Sequence, residues 1–277
     1  MPVISTNTAA NTALRYLNDN TDAQTENLAR IASGSRITKS ADDAAGLAIG
    51  TRMQTDVATL EQARTNTDHG VSVLSTADGG MSSISDILQR MKSLSAQSIS
   101  GTVSATELGF IQAEIDALVT EIDDITAATA FNGQALLDGT NSFSDGTGVL
   151  FLAGTESTDT LSVTTADLTT TTLAVDTLDV VTDDASRAAA MDAIDAAIDA
   201  VSSARADVGA QMSRFEYRAS MLDTSIENID AAQSAIMDAD IASEQAELAS
   251  NQVKTDAAIA ALAQANQLPE GLMDLLR

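Results

Sequence analysis

The sequence predicts a mainly α protein, an elongated rod of long antiparallel coiled-coil-like helices with a small β-hairpin region. Three observations carry this expectation. From Met191 to Ile236 an apolar seam recurs at alternating three- and four-residue spacing, the pattern of a long helix with one buried face. Aromatic residues make up 3% of a chain of 277 residues and Trp is absent, so a large globular core would lack the side chains that normally bury most area. Between Phe131 and roughly Asp184 the helical pattern gives way to Gly, Thr, Ser and Asn around short β-like runs, which reads as hairpins.

In chain order, Ala10, Leu14, Leu17, Thr21, Gln24, Leu28 and Ile31 keep heptad spacing. The polar members reduce the apolar area this N-terminal arm can bury, so it is expected to be marginal alone. A long helix follows through Met53, Val57, Leu60, Val71, Leu74, Met81 and Leu88, and a shorter one through Leu108, Ile111, Ile115, Leu118, Ile122 and Ile125. Ser104 and Glu107 form a capping box that marks the start of the shorter helix. Strands are expected at Val149–Leu152 and Leu161–Val163, and the β-branched residues of Thr164–Thr177 favour strand over helix. The seam of the last long helix runs through Met191, Ile194, Ile198, Val201, Arg205, Val208, Met212, Phe215, Ala219 and Leu222 to Ile236, a length on the order of 70 Å at 1.5 Å per residue. The C-terminal arm repeats the weaker pattern at Ile241, Gln245, Leu248, Gln252, Thr255, Ile259 and Leu262.

The formal net charge is −26 with a pI near 4.1, which sets the chain against nucleic acid and against anionic lipid surfaces. No Lys or Arg occurs between Lys92 and Arg187, although acids are frequent there, so the middle is expected to face solvent. Acids and bases nearly balance before Leu60, which permits close packing of that end against like copies. The absence of Cys excludes disulfides, thiolate metal sites and Cys nucleophiles. Met1–Asn20 carries no basic region followed by an apolar run, and no long uncharged apolar stretch occurs, so neither a cleaved leader nor a membrane span is expected.

No constellation for catalysis emerges, and no cofactor is expected. His69 is the sole histidine and reads as a solvated or capping residue. Asp42-Asp43, Asp123-Asp124 and Asp183-Asp184 read as solvated faces or helix ends rather than cation sites. Asp145-Gly-Thr-Gly and Leu152-Ala-Gly-Thr155 lack the Gly-Lys-Ser/Thr of a phosphate loop and read as turns. Arg205 interrupts an apolar seam. It either pairs with an acid on a neighbouring helix or, slightly favoured, packs its stem while its head reaches water.

Three separated strings, in order, resemble the bacterial flagellins. They are Leu28-Ala-Arg-Ile-Ala-Ser-Gly-Ser-Arg-Ile37 followed by Ala41-Asp-Asp-Ala-Ala-Gly-Leu-Ala-Ile49; Phe131-Asn-Gly-Gln-Ala-Leu-Leu-Asp-Gly139; and Leu262-Ala-Gln-Ala-Asn-Gln-Leu-Pro269 with the closing Leu275-Leu276-Arg277. The resemblance implies a filament-forming structural protein of a minimal type, because the interval Leu137–Arg187 is too short for a large outer domain. It implies an inner domain of two arms, residues 1–45 and 238–277, paired as a helical coiled coil in the filament and disordered in the monomer. A helical rod would then occupy 46–237, with its hairpin region at about 131–184. Self-assembly would fall to Leu14, Leu17, Leu28, Ile31, Leu248, Ile259, Leu262, Leu275 and Leu276. The partners implied are further copies, the flagellar type III export machinery with its chaperone, and the filament cap and junction proteins. Export through that route needs no cleaved signal and places the chain outside the cell. The family is also sensed by a host Toll-like receptor; Arg90, Leu94 and Glu114 match the sensed segment, whereas Ser93 departs from it. Two alternatives stand beside this reading: a hook-filament junction protein with the same arms, and a secreted adhesin with a helical stalk.

Overall fold

A computed structural model describes the backbone of residues 7–143 and 147–274, with side chains at the C-terminal end described to residue 267. Leu275, Leu276 and the Asp145-Gly146 half of the Asp145-Gly-Thr-Gly turn lie outside the described residues. Five helices are present among them: α1 (Thr8–Ser33), α2 (Ala44–Ser98), α3 (Ala105–Ala128), α4 (Asp184–Met237) and α5 (Ile241–Asp274). Two antiparallel strand pairs join them, β1 (Ala130–Phe131) with β2 (Gln134–Ala135) and β3 (Val149–Leu152) with β4 (Thr160–Val163). The chain divides into two compact units, one of residues 1–55 with 228–277 and one of residues 56–227.

In the second unit, α2, α3 and α4 share an apolar core. Leu74, Met81, Ile84, Leu88 and Met91 of α2 are fully buried, as are Ile115 and Ile122 of α3 and Ile194 of α4. The heptad period places these side chains on one stripe of each helix. Capping at α3 follows the sequence expectation: Ser104 Oγ accepts from Glu107 N (3.4 Å), and Glu107 Oε2 accepts from Ser104 N (2.7 Å). At the start of α4, Asp183 accepts from Ser186 N (2.6 Å), so this acid caps a helix end.

Three ion pairs flank the antiparallel α2–α4 seam: Arg64–Asp223 (3.0 Å), Arg205–Asp78 (2.9 Å) and Lys92–Asp195 (2.5 Å). Their α2 members recur two heptads apart. Arg205 therefore takes an interhelical acid, contrary to the favoured reading, because the buried seam position is Ala204, one residue earlier. Gly70 is needed where the helices meet. A Cβ there would run into the ring of Phe215, which packs edge-on to Phe151 at 6.0 Å and 82°.

The hairpins follow their turn chemistry. Asn132 and Gly133 link β1 to β2 with φ of 50° and 78°, the left-handed pair that a two-residue turn matching strand twist requires. Thr164–Thr177 departs from expectation, since none of it is strand. Side-chain hydrogen bonds compete with the ladder there. Asp123 accepts from Thr170 N (3.1 Å) and Thr170 Oγ1 (2.9 Å), and Asp167 Oδ2 accepts from Thr172 Oγ1 (2.7 Å). Leu168, Leu173 and Val175 are buried instead as anchors of an irregular segment. Asp123 is thus an exposed acid that also clamps the loop, and His69 is exposed as expected.

The first unit is built on α1 and α5. Gly34 closes α1 in the left-handed conformation, and its N–H donates to Arg30 O (2.9 Å). The chain then runs beside the end of α4, with Ser35 bridging Asp238 and Arg36 N donating to Met237 O (2.6 Å). Asp43 caps α2 by accepting from Ala45 N and Gly46 N at 3.1 and 2.9 Å. Asp42 accepts from the amides of Lys39 and Thr38 and from the Thr38 hydroxyl. Those bonds, the backbone ones foremost, hold its carboxyl below the usual carboxylate range.

Candidate self-assembly surface

The residues of α1 that turn toward α5 are Ala10, Ala13, Leu17, Asn20, Gln24, Asn27 and Ile31, all partly or fully buried. Their partners on α5 are Glu244, Leu248, Asn251, Thr255, Ala258, Leu262 and Ala265. Each set keeps a strict heptad, yet each alternates with the set expected from apolarity. Leu17, Gln24 and Ile31 face inward as expected, but Leu14, Thr21 and Leu28 give way to Ala13, Asn20 and Asn27. On α5, Leu248, Thr255 and Leu262 face inward, whereas Gln245, Gln252 and Ile259 give way to Glu244, Asn251 and Ala258. In both helices the alternate positions sit one residue earlier than apolarity suggests.

The physical reason lies in side-chain size and polarity. Ala and Asn allow backbones to approach, and α1 with α5 is the helix pair that repeatedly brings Cα atoms within 8 Å among the described residues. Polar bonds then cross the pair. Asn7 Nδ2 donates to Ala265 O (2.8 Å), Gln24 Nε2 to Thr255 Oγ1 (2.8 Å), and Arg30 Nη1 lies 3.4 Å from Glu244 Oε1. Asn27 and Asn251 are buried. With its amide oriented to satisfy both atoms, Asn27 donates to Ala23 O (2.7 Å) and accepts from Leu248 N (3.2 Å). Buried amides of this kind fix register at a cost in stability. The Arg30 pair is also incompletely satisfied, because Arg30 Nε and Glu244 Oε2 are buried without partners, and such atoms cost about 1–3 kcal/mol each.

Several bulky apolar residues consequently lie outside the pair. Leu28 is 59% exposed and Ile259 52%, and Leu14, Tyr16 and Val253 are exposed with them. Tyr16 and Val253 were missed in the sequence because they fall off the chosen register. The signal for the true seam was the run of Ala and Asn at heptad spacing one residue before the Leu and Ile positions.

The N-terminal half of the chain matches the family model described as the bacterial flagellin N-terminal helical region, over residues 4–142, and the end matches the bacterial flagellin C-terminal helical region, over residues 191–276. The chain belongs to the bacterial flagellin family. It is 38% identical to the flagellin of Bacillus subtilis (strain 168), covering 99% of both chains. It is 33% identical to the flagellar filament 33 kDa core protein of Treponema phagedenis, covering 99% of this chain and 100% of that one. A crystal structure of Bacillus cereus flagellin superposes with a TM-score of 0.51 at 31% identity, over 61% of this chain and 94% of that one. Flagellins are a family of structural proteins.

Arg90, Leu94 and Glu114, which the resemblance singles out, lie in the second unit. Arg90 pairs with Glu114 across α2 and α3, Nη2 to Oε1 at 2.5 Å and Nε to Oε1 at 2.9 Å. Leu94 is 3% exposed. Arg90 and Glu114 are therefore brought together at the surface, and Leu94 sits in the core beneath them.

Proposed function

We propose that the chain is the structural subunit of a bacterial flagellar filament, a helical homopolymer outside the cell that serves swimming. The carrying observation is the division of the arm heptads. Their inner positions alternate small and polar residues with a few Leu and Ile in pairing α1 with α5, and their outer positions hold Leu14, Leu28 and Ile259 in the open. An isolated protein gains little from such an arrangement, whereas a polymer covers that apolar surface with further copies. Leu17, Ile31, Leu248 and Leu262 secure the pair; Leu275 and Leu276, outside the described residues, keep the self-assembly role that the resemblance implies. The relatives named as flagellar filament core proteins support this reading.

The inner arm domain, 1–45 with 238–277, orders fully only on assembly, because a polar seam offsets little of the roughly 1–2 kcal/mol per residue that backbone ordering costs. Ends that fold late suit a subunit delivered by the flagellar export apparatus and its chaperone, then placed among junction and cap proteins. Recognition by a host Toll-like receptor would use Arg90 and Glu114, with Leu94 shaping the surface from below. Electron microscopy of purified, concentrated protein across an ionic-strength series tests the central reading. Long helical filaments that form more readily as salt screens the charge are expected; protein that stays monomeric throughout would contradict it.

A further inference from the structure

At the end of α4, where the chain turns into α5, the backbone is fastened to the segment between α1 and α2. Arg36 N and Ser35 Oγ both donate to Met237 O, at 2.6 and 3.1 Å, and Ala239 N donates to Gly34 O at 3.0 Å. The side chain of Met237 adds a contact to α2. It lies on Gly50, where a Cβ would come within 2.5 Å of Met237 Sδ and 2.6 Å of Met237 Cγ. The thioether thus covers bare helix backbone, and Gly50 is buried.

The methionines differ in what an oxidant can reach and in what it would change. Met81 and Met91 are fully buried in the core that α2, α3 and α4 share. Met221 is 48% exposed, so a polar atom added there meets solvent. Met237 is half-buried, open to a molecule as small as a peroxide yet packed on backbone. A thioether asks for no hydrogen bond, whereas a sulfoxide is a polar group that does. Gly50 offers none, because the amides around it are bonded within α2. An oxygen on Met237 Sδ is therefore either buried without a donor or carried to water by withdrawal of the side chain from Gly50.

We infer that Met237 is a redox-sensitive modification site, whose oxidation by hydrogen peroxide releases the end of α4 from α2. In the step a sulfur lone pair attacks one peroxide oxygen, and the S–O bond forms as the O–O bond breaks. The departing hydroxide takes the proton from the new S–OH group and leaves as water. Sulfur is oxidised by two electrons and the peroxide reduced by two. Return to the thioether needs a methionine sulfoxide reductase and a thiol. Release uncovers Gly50 and loosens the turn from which α5 departs. One consequence rests on the filament reading above: the oxidised chain holds its arms less well and adds to a growing end more slowly.

The test treats the full-length monomer with hydrogen peroxide until peptide mass spectrometry shows Met237 converted, with sulfoxide counted at every methionine. Amide exchange of residues 47–54 is expected to accelerate about fivefold or more, the mark of local opening, and sulfoxide reductases with dithiothreitol should return it to its starting rate. Met221→Leu should leave the acceleration intact, and Met237→Leu should abolish it. Seeded elongation should slow about threefold or more in the same pattern. Unchanged exchange with Met237 fully converted would overturn the inference. So would an acceleration that survives in Met237→Leu, or a Met237 that stays reduced under peroxide sufficient to convert all of Met221. Reversal by the reductases makes the result independent of how Met237→Leu packs on Gly50. Failure of the untreated chain to elongate would count against the filament reading, and the exchange comparison would still decide the role of Met237.

Discussion

The two units use the same heptad spacing to opposite ends. In residues 56–227 most of the large apolar side chains point inward to one core, and the acids lie largely outside, giving a formal charge of −20. In residues 1–55 with 228–277 the formal charge is −6, the seam mixes Ala, Asn, Gln and Thr with Leu17, Ile31, Leu248 and Leu262, and Leu14, Leu28 and Ile259 point out. On the proposed reading, one unit is stable as a monomer and the other is completed by neighbours. Periodicity alone does not distinguish them; which residues occupy the alternate positions does.

Deleting α5 should have the largest effect. Loss of polymerisation is expected, with the thermal transition of residues 56–227 retained, as measured by sedimentation and calorimetry on the truncated chain. Equal truncations of Leu then separate the units. Leu74→Ala, at a fully buried site, should lower monomer stability by about 2–5 kcal/mol. Leu28→Ala, at an exposed one, should change it by less than about 0.5 kcal/mol while slowing assembly markedly. Denaturant melts paired with light scattering give both numbers, and equal stability losses at the two sites would erase the distinction.

Gly70→Ala should follow, because the added methyl meets the Phe215 ring between packed helices; overpacking of this kind costs about 1–3 kcal/mol. A melt unchanged from the unaltered protein would show that the ring moves aside freely.

Much of this architecture was legible beforehand, and the reasons differ by region. The capping box at Ser104, the Asn132-Gly133 turn and the seam of α4 could be read because local chemistry and tertiary packing agree there. Arg205 was misplaced by one residue since Ala204 carries little hydrophobic signal, and the arms were misread at alternate positions for the same reason. Thr164–Thr177 failed because β propensity describes a residue in a ladder, whereas Asp123 and Asp167 offered its Thr hydroxyls and amides other partners.

The smallest predicted effect concerns pH. Asp42 titrates below its ordinary value because the amides of Lys39 and Thr38 donate to the carboxylate. A depressed folded value contributes order above the unfolded value of about 3.9 and loses it as pH falls through the folded one. Loosening of the Thr38–Asp42 turn is therefore expected only under acidic conditions, and Asp42→Asn should remove that dependence. Amide chemical shifts of Thr38 and Lys39 followed from pH 6 downward report it, and a transition at or above the ordinary carboxylate value would contradict the assignment.

The contrast between the units is tested most directly by amide hydrogen exchange on the monomer and on the filament. The account predicts strong protection of α2, α3 and α4 within residues 56–227 in both states. It predicts fast exchange across α1 and α5 in the monomer, becoming slow in the filament. Protection of α1 and α5 in the monomer equal to that of the 56–227 core would contradict the claim that the arms depend on neighbouring copies for their order.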